Sequence, residues 1–378
     1  MKKIILYILC SLVLLHTNAQ GQDCDAAAIM NIKGKWTTTA DNIIYPDKTF
    51  PASQYNQLRT RIDKIALLFK EAYPEPAGME AKWWRCIDGS AIVKNGPVPY
   101  RFESAYFSWY CNQKLHKVMQ SSDFNAWVAV SVNGLGHILD DQNGQLWIKI
   151  DGAAAYLLPQ TKEQWNGLPV YERIGSYTKS KCVLITHNDQ LPYKPVSRLS
   201  YLQSLKQKIE TDKQEQINVL NKIPVKTEAE EEAAKQRGMQ NATYGAAANR
   251  IEERKANYLK NYKTDKQQRE ESRQTTAKYF DDKLKIIDDI LKNFGNDYLQ
   301  QPAIIDNNSN FKGFATLENG GRMIVVIDPG YFNSQLPRYM PQLFVLYWQW
   351  DKSPASQNIK KLVEENFSID KLKAMLDK

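Results

Sequence analysis

The sequence predicts an α+β protein in which an antiparallel sheet with packed helices is interrupted by a long, charged helical hairpin or arm. Three observations support this prediction: an amphipathic helix followed by strand patterns, a charged region with helical periodicity, and a return of strand patterns near the carboxyl end. We therefore divide the chain into a signal peptide (1–19), an α+β body with antiparallel strands (20–194), a charged helical arm (195–300) and a small segment of strands and carboxyl-terminal helices that packs on the body (301–378).

The body begins with a helix and continues with strands. One apolar helix face is predicted between Ser53 as N-cap and Pro74 as the stop, formed by Tyr55, Leu58, Ile62, Ile65 and Phe69. Strand patterns follow at 101–110, 127–132, 137–139, 146–150 and 182–186. Asn143-Gly144 predicts a tight hairpin turn between the third and fourth of these segments.

The arm differs from the body in composition. Residues 196–300 hold 20 Lys or Arg and 17 Asp or Glu, so that about a third are charged, against 24% of the chain. An apolar stripe runs from Leu199 to Ile209, and Thr227-x-x-Glu230 is a capping-box pattern. The proline-free stretch 246–294 could form one helix, but its part 263–277 lacks any large apolar residue, which predicts a solvated tip. Partial disorder around 238–245 is the alternative.

Strand patterns return in the last segment. They lie at 311–317, 323–327 and 343–350, and two short helices are predicted to close the chain. Three strands form only a thin core by themselves. We therefore expect this segment to complete the sheet of the body or to pack against it, which would make the arm an insertion.

The amino terminus predicts export. Lys2 and Lys3 precede a short apolar run (4–15), and small residues up to Ala19 offer a cleavage site, as in a secretory signal peptide. No later apolar stretch reaches the roughly 20 residues of a membrane span. We expect a protein that is periplasmic or secreted after cleavage near Ala19 and that is not a transmembrane protein.

Export changes the interpretation of the cysteines. The mature chain keeps Cys24, Cys86, Cys111 and Cys182. An even number in an oxidising compartment predicts two disulfides with three possible connectivities, among which we favour Cys86–Cys111 because both lie in strand-like segments. No C-x-x-C pattern is present, so neither a zinc site nor a thioredoxin-type redox site is predicted.

Recognisable catalytic motifs are absent, and no catalytic residue, metal site or cofactor is predicted. Ser-x-x-Lys occurs at Ser176 and Ser309, about as often as chance predicts. The mature chain holds three histidines, no two of which share one helical turn: His116, His137 and His187. Their convergence in one cleft would favour an enzyme.

Aromatic pairs form the most distinctive constellation. Trp348 and Trp350 lie two apart on a predicted strand, and Tyr106 and Tyr110 share a strand face. If exposed, these four residues would make a platform for sugar rings or peptide side chains. If buried, they pack the core, which is the more common role of such residues.

Two stretches resemble a family of uncharacterised exported bacterial proteins: residues 194–202, KPVSRLSYL, and residues 365–376, ENFSIDKLKAML. This resemblance implies no activity and no site residues.

The leading hypothesis is an exported, non-catalytic interaction or scaffold protein of the bacterial envelope, whose partner is another envelope protein or a glycan. The alternatives are a carbohydrate- or peptidoglycan-binding module using exposed Trp and Tyr, and a hydrolase with an unrecognised site. The net charge of +8 arises from intermingled basic and acidic residues without a basic block, so no nucleic acid partner is predicted.

Overall fold

The computed structural model describes residues 26–43, 49–87, 91–112, 114–139, 145–174, 178–306 and 311–378. These residues divide into two compact units. The sheet unit comprises the chain up to Leu146, Ala155–Lys194 and Arg322–Lys378, and the helical unit comprises Trp147–Ala154 and Pro195–Gly321. About 43% of the residues are helical and 26% lie in strands, so the predicted α+β class is confirmed.

The strands are, in chain order, β1 (Trp36–Thr38), β2 (Asn42–Ile43), β3 (Met79–Ile87), β4 (Tyr100–Asn112), β5 (Lys117–Gln120), β6 (Ala126–Val132), β7 (Gln145–Ile150), β8 (Ala153–Leu157), β9 (Thr161–Trp165), β10 (Leu168–Ile174), β11 (Lys179–Ile185), β12 (Tyr193–Pro195), β13 (Ile304–Ile305), β14 (Arg322–Ile327) and β15 (Phe344–Trp350).

The α-helices are α1 (Ala26–Met30), α2 (Tyr55–Ala72), α3 (Gly136–Leu139), α4 (Arg198–Lys222), α5 (Glu228–Thr243), α6 (Ile251–Asn261), α7 (Asp265–Asn293), α8 (Asn296–Leu299), α9 (Pro354–Lys361) and α10 (Ile369–Lys373). A π-helical turn, Leu362–Asn366, follows α9 directly.

One large sheet organises the sheet unit, with the strand order β1-β3-β4-β6-β15-β11-β10-β9. β15 pairs with β6 on one side and β11 on the other, so the end of the chain supplies a central strand between segments far earlier in sequence. Most pairs are antiparallel, as predicted, but β1 and β2 run parallel to β3. The sheet is therefore mixed.

Alternation along the strands separates two cores. On β15, Leu346 and Trp348 enter the core that is covered by α2 and α9, whereas Val345 and Tyr347 enter a second core on the opposite face. This is the period of two expected of a strand buried on both faces. The predicted stripe of α2 is confirmed, and its buried residues are Leu58, Ile62, Ile65, Ala66 and Phe69. Burial of each large apolar side chain contributes about 1.5–3 kcal/mol.

Several local predictions for the sheet unit are wrong. Ser53 lies in a 3-10 turn before α2, and Gln54 occupies the N-cap position without a side-chain cap. Residues 137–139 belong to the short helix α3 rather than to a strand. An apolar run this short is compatible with a helix or a strand, because the period of either structure is recognisable only over more residues.

The favoured disulfide is also wrong. Cys86 and Cys182 are buried thiols, so no disulfide joins two cysteines within the described part of the chain. Cys86 lies opposite Arg101 on β4, ten positions from Cys111. At about 3.3 Å per residue the two cysteines are roughly 33 Å apart along the sheet, several times the Cα separation that a disulfide allows.

Two antiparallel helical hairpins dominate the helical unit. α4 pairs with α7 through a ladder of ion pairs, in which Lys206 contacts Asp288 at 2.6 Å and Lys213 contacts Asp281 at 2.5 Å. α5 pairs with α6 beyond the ends of these helices. The buried residues of α4 are Tyr201, Leu202, Leu205 and Ile209, whereas α5 and α6 bury none.

The helical unit corrects two predictions of secondary structure. The stretch 246–294 is not one helix, because residues 262–264 separate α6 from α7 and Thr264 caps α7 with a capping box. Residues 311–317 form no strand. Their aromatic side chains pack instead around Tyr201, whose ring lies 5.4 Å from that of Phe311. The capping box of Thr227 and Glu230 is confirmed at the start of α5.

Some predictions fall outside the described residues: the signal peptide 1–19, Cys24, the turn at Asn143-Gly144, and the serines Ser176 and Ser309. None of the helices that the structure describes is long and apolar enough to cross a membrane.

Candidate functional site

Three of the four aromatic residues predicted to bind a ligand are buried. Trp348, Trp350 and Tyr106 are 1%, 4% and 0% exposed, and only Tyr110 is substantially exposed, at 42%. β15 is a central strand, and its two tryptophans lie on the face that the helices cover. These three side chains therefore pack the core, as their common role suggests, and in this conformation a solvent-borne ligand reaches only Tyr110.

The three histidines lie in three different surroundings. His116 lies in the turn between β4 and β5, and the ring of His137 stacks on Tyr347 at 4.5 Å. The Nε2 atom of His187 lies 2.9 Å from a carboxylate oxygen of Asp377. They do not assemble one cleft. Within the described residues, no group of three His, Cys, Asp or Glu side chains could hold a metal ion.

A cluster of ionised side chains lies at the edge of the helix-covered core of the sheet unit. Lys181 on β11 forms ion pairs with Glu163 on β9 and, at 3.4 Å, with Glu364 in the π-helical turn. Glu364 also pairs with Lys360 one turn earlier. The side chain of Lys181 is only 11% exposed, so its charge needs these partners.

The carboxylates keep Lys181 charged. Burial by itself lowers the pKa of this lysine, but the hydrogen bond to Glu163 and the charge of Glu364 outweigh burial, and its pKa lies above the ordinary value. The indole N–H of Trp348 donates to the Glu364 carboxylate at 3.2 Å, and that of Trp165 donates to the Glu364 backbone carbonyl at 2.9 Å. The network therefore fastens the π-helical turn to the sheet.

This cluster supports a structural role better than a catalytic one. A general acid needs a carboxyl group that holds its proton near neutral pH, usually because it is desolvated away from cations. Glu163 and Glu364 instead share the cation Lys181, and Lys360 adds a second positive charge beside Glu364. Both carboxylates thus serve as ion-pair partners that hold the π-helical turn against the sheet.

Two cavities lie on the outer hairpin of the helical unit, which is formed by α5 and α6, and Tyr262 lines both. The first has a volume of about 380 Å³. Its charged lining is balanced, with three lysines and three glutamates: Lys226, Lys235, Lys266, Glu228, Glu231 and Glu232. Such a cavity offers little net attraction for a charged ligand.

Glu231 fixes Tyr262 between the cavities. The tyrosine hydroxyl donates to the Glu231 carboxylate at 2.5 Å, and this hydrogen bond raises the pKa of Tyr262 to about 12. The other oxygen of Glu231 accepts the backbone N–H of Asp265 at 2.6 Å, in the first turn of α7. One carboxylate therefore joins three helical segments and holds the ring of Tyr262 in place.

The second cavity, of about 680 Å³, has a different character. Its cations are Arg254 and Lys263, and no carboxylate lies among its described lining residues. Lys263 pairs with Glu271, which lies outside the lining. Arg254 forms no ion pair with a described residue, and its Nη1 lies 3.5 Å from the Ala242 carbonyl oxygen. The cavity therefore presents about one uncompensated positive charge.

Tyrosines and amides complete this cavity. The rings of Tyr258 and Tyr262 lie 5.7 Å apart at an angle of 45°. The Asn261 amide donates to the Asn257 backbone carbonyl at 3.0 Å and the Gln268 amide donates to the Lys263 carbonyl at 2.9 Å, which leaves both amide oxygens as acceptors. A cation, two rings and several amides thus line an open depression of the surface, in which Arg254, Asn261 and Gln268 are exposed to solvent.

Gly238 allows the close approach that shapes this hairpin. A Cβ atom at this position of α5 would lie 1.8 Å from the Tyr258 hydroxyl oxygen and 2.4 Å from the adjoining ring carbon. A side chain at this position would displace the Tyr258 ring, so glycine lets the ring approach α5 this closely. The conformational cost of glycine within a helix is offset here by the packing of that ring.

Sequence reasoning did not find this cavity. The spacing of Tyr258 and Tyr262 places both on one helix face and was the one available signal. Arg254, four residues before Tyr258, lies on the same face. Asn257 and Asn261 also belong to α6, whereas Ala242 comes from α5 and Gln268 from α7, whose alignment with α6 depends on contacts far apart in sequence.

Comparison with protein-family models, with curated proteins and with solved structures finds no match to this chain. The arrangement of its own residues therefore carries the functional argument.

Proposed function

We propose that this chain is an exported, non-catalytic interaction protein of the bacterial envelope and that the outer hairpin of its helical unit, α5 and α6, carries its binding surface. The observation that supports this most is that these two helices form a defined hairpin although neither buries a residue. Ordering each residue costs about 1–2 kcal/mol of backbone entropy, and burial does not compensate for it here. A hairpin without a core contributes little to folding, which favours a role in binding.

Polar contacts hold the outer hairpin in a single arrangement. Thr227 and Glu230 form the capping box of α5, and Glu231 connects α5 to Tyr262 and Asp265. Helices of 16 and 11 residues are marginal in isolation. These contacts therefore present a preformed surface, which lowers the entropy cost of binding a partner.

Exposed apolar side chains accompany the charges of the helical unit. Leu259 on α6 is 43% exposed, and Tyr244, which follows the end of α5, is 88% exposed. Large apolar side chains that remain accessible beside polar ones are typical of binding surfaces. They add to the support for this region as the interaction surface.

The proposal is tested by replacing residues 227–263 with a short Gly-Ser linker. Lys226 Nζ and Asp265 Oδ1 lie 2.8 Å apart, so the linker spans a short gap and α4 and α7 keep their pairing. We expect the full chain to co-sediment with isolated cell envelopes of the producing bacterium and the linker variant to remain in the supernatant. Fractionation with amino-terminal sequencing tests export, and a mature chain beginning at Gln20 is expected.

The matched control is Lys285→Gln, which removes a charge of an exposed ion pair on α7 and leaves the outer hairpin intact. Tryptophan fluorescence reports whether the sheet unit is folded, since only Trp147 of the nine tryptophans lies in the helical unit. Undiminished co-sedimentation of a folded linker variant would contradict the proposal.

A further inference from the structure

The second cavity has the chemistry of a site for a singly charged anion. Arg254 supplies one cation without an ion-pair partner among the described residues, while Glu271 already balances Lys263. A carboxylate matches this single charge, whereas a phosphate dianion would leave one negative charge unbalanced. Guanidinium groups bind carboxylates through two parallel hydrogen bonds, which adds geometric selectivity.

The remaining lining fits a hydroxylated ring. Asn261 and Gln268 present amide oxygens, and the side chain of Asn257 forms no hydrogen bond with a described residue, so acceptors and donors both face the cavity. The two tyrosines offer ring faces on which an apolar sugar face packs. Ala242 is the one aliphatic side chain in the lining, which gives the side chains of a peptide little to pack against.

We propose that this cavity binds an acidic sugar residue of a glycan, with Arg254 paired to the carboxylate, Tyr258 against the ring, and Asn257, Asn261 and Gln268 at the hydroxyls. The inference rests on the proposed function and names the ligand class of the same hairpin. The cation lies on the same face of α6 as the tyrosine, since Arg254 and Tyr258 are four residues apart, so one bound ring contacts both.

The test is isothermal titration calorimetry of the full chain with trigalacturonic acid and with its methyl ester, which keeps the sugar rings and removes the charge. We expect the acid to bind at least ten times more tightly than the ester. Arg254→Gln should reduce the affinity for the acid about tenfold, to the level of the ester. Tyr258→Ala should weaken both probes to a similar degree, because it removes the ring contact and not the charge.

Arg250→Gln is the matched control, since it removes one positive charge just before α6, outside the lining of the cavity. It should leave the affinity for the acid within about twofold of that of the unaltered chain. Circular dichroism should show the same helix content in all three variants, which separates loss of binding from loss of folding.

Three results would overturn the inference: equal affinity for the acid and the ester, an unchanged affinity in Arg254→Gln, or triglutamate binding as tightly as the acid sugar. The last would assign the site to acidic peptides instead. Absence of trigalacturonate binding, together with loss of envelope association in the linker variant, would reject this ligand and retain the proposed function.

Discussion

Lys181→Met tests the ionic network that fastens the π-helical turn to the sheet. The substitution keeps an unbranched side chain of similar length, so the packing of the stem is largely retained. It removes the cation between Glu163 and Glu364. The side chain of Glu364 is only 19% exposed, and it would keep Lys360 and the indole N–H of Trp348 as partners.

The expected loss of stability follows from these exposures. Removing one partner of a fully buried ion pair costs about 3–5 kcal/mol, whereas an exposed pair contributes about 0–1 kcal/mol. Glu163 is 48% exposed and Glu364 keeps two contacts, so the cost lies between these limits. We expect Lys181→Met to lower the free energy of unfolding of the sheet unit by about 2 kcal/mol.

Urea unfolding followed by tryptophan fluorescence measures this loss, because eight of the nine tryptophans lie in the sheet unit. The midpoint should fall while the slope stays constant. Adding Glu364→Gln should recover most of the loss, since glutamine keeps an acceptor for Trp348 without a charge. Lys179→Met, on an exposed position of the same strand, is the control. Equal midpoints for Lys181→Met and Lys179→Met would refute the reasoning.

The network also predicts a dependence on alkaline pH. The pKa of Lys181 is raised in the folded state, so the contribution of this lysine to stability is complete below its unfolded pKa of about 10.4 and is lost as the pH rises through the higher folded pKa. The difference in stability between the unaltered chain and Lys181→Met should therefore shrink above about pH 10.5.

Three further predictions concern the hairpin and the cysteines. Gly238→Ala should lower the thermal stability of the outer hairpin, measured by circular dichroism, because the added Cβ displaces the Tyr258 ring. Helix propensity alone predicts the opposite, a gain in stability of about 1 kcal/mol. In a Tyr258→Ala background, where the ring is absent, this gain in stability should appear. The pKa of Glu230 is lowered chiefly by the hydrogen bond from the backbone N–H of its N-cap residue, so the stability it contributes is present above the unfolded pKa and is lost as the pH falls through the lower folded pKa. The protection of the α5 amides against exchange, relative to their intrinsic exchange rate at each pH, should therefore fall below about pH 4 in the unaltered chain. A similar fall in Glu230→Gln would count against this. Because Cys86 and Cys182 are thiols, Cys24 and Cys111 are the two cysteines left to be joined beyond the apolar amino-terminal run, and peptide mapping without reduction should recover them together. Recovery of Cys24 as a thiol would contradict this.

Local periodicity predicted the elements that bury a face of their own. The stripe of α2 and the strand from Phe344 to Trp350 were both visible because each repeats over several residues. The aromatic segment at Phe311 was misassigned as a strand. Its side chains pack against Tyr201, which is distant in sequence, so tertiary contacts satisfy a pattern that resembles a strand.

The pairing register of β3 and β4 explains why the number of cysteines and their strand-like surroundings gave a wrong disulfide prediction. Residues in strand-like segments can be neighbours only if the pairing of the strands brings them opposite each other. In the β3–β4 pair, Cys86 faces Arg101, while Cys111 lies beyond the end of β3 and faces Val118 on β5. The length of β4, 13 residues, separates the two cysteines and could not be read from composition.

The candidate site lies where the local sequence signals were weakest. Residues 263–277 lack large apolar side chains, and Gly238 interrupts a helix that propensity alone would fill with alanine. Both features lower the stability of an isolated hairpin, and both contribute to the cavity. Gly238 leaves room for the Tyr258 ring, and the polar segment supplies Gln268 without placing an apolar side chain over the cavity. Positions that break local rules without strengthening a core are where functional sites are expected. The same argument explains why the cavity could not be predicted: Arg254 and Tyr258 share α6, but Ala242 and Gln268 join them only when α5 and α7 are aligned with α6 through Glu231.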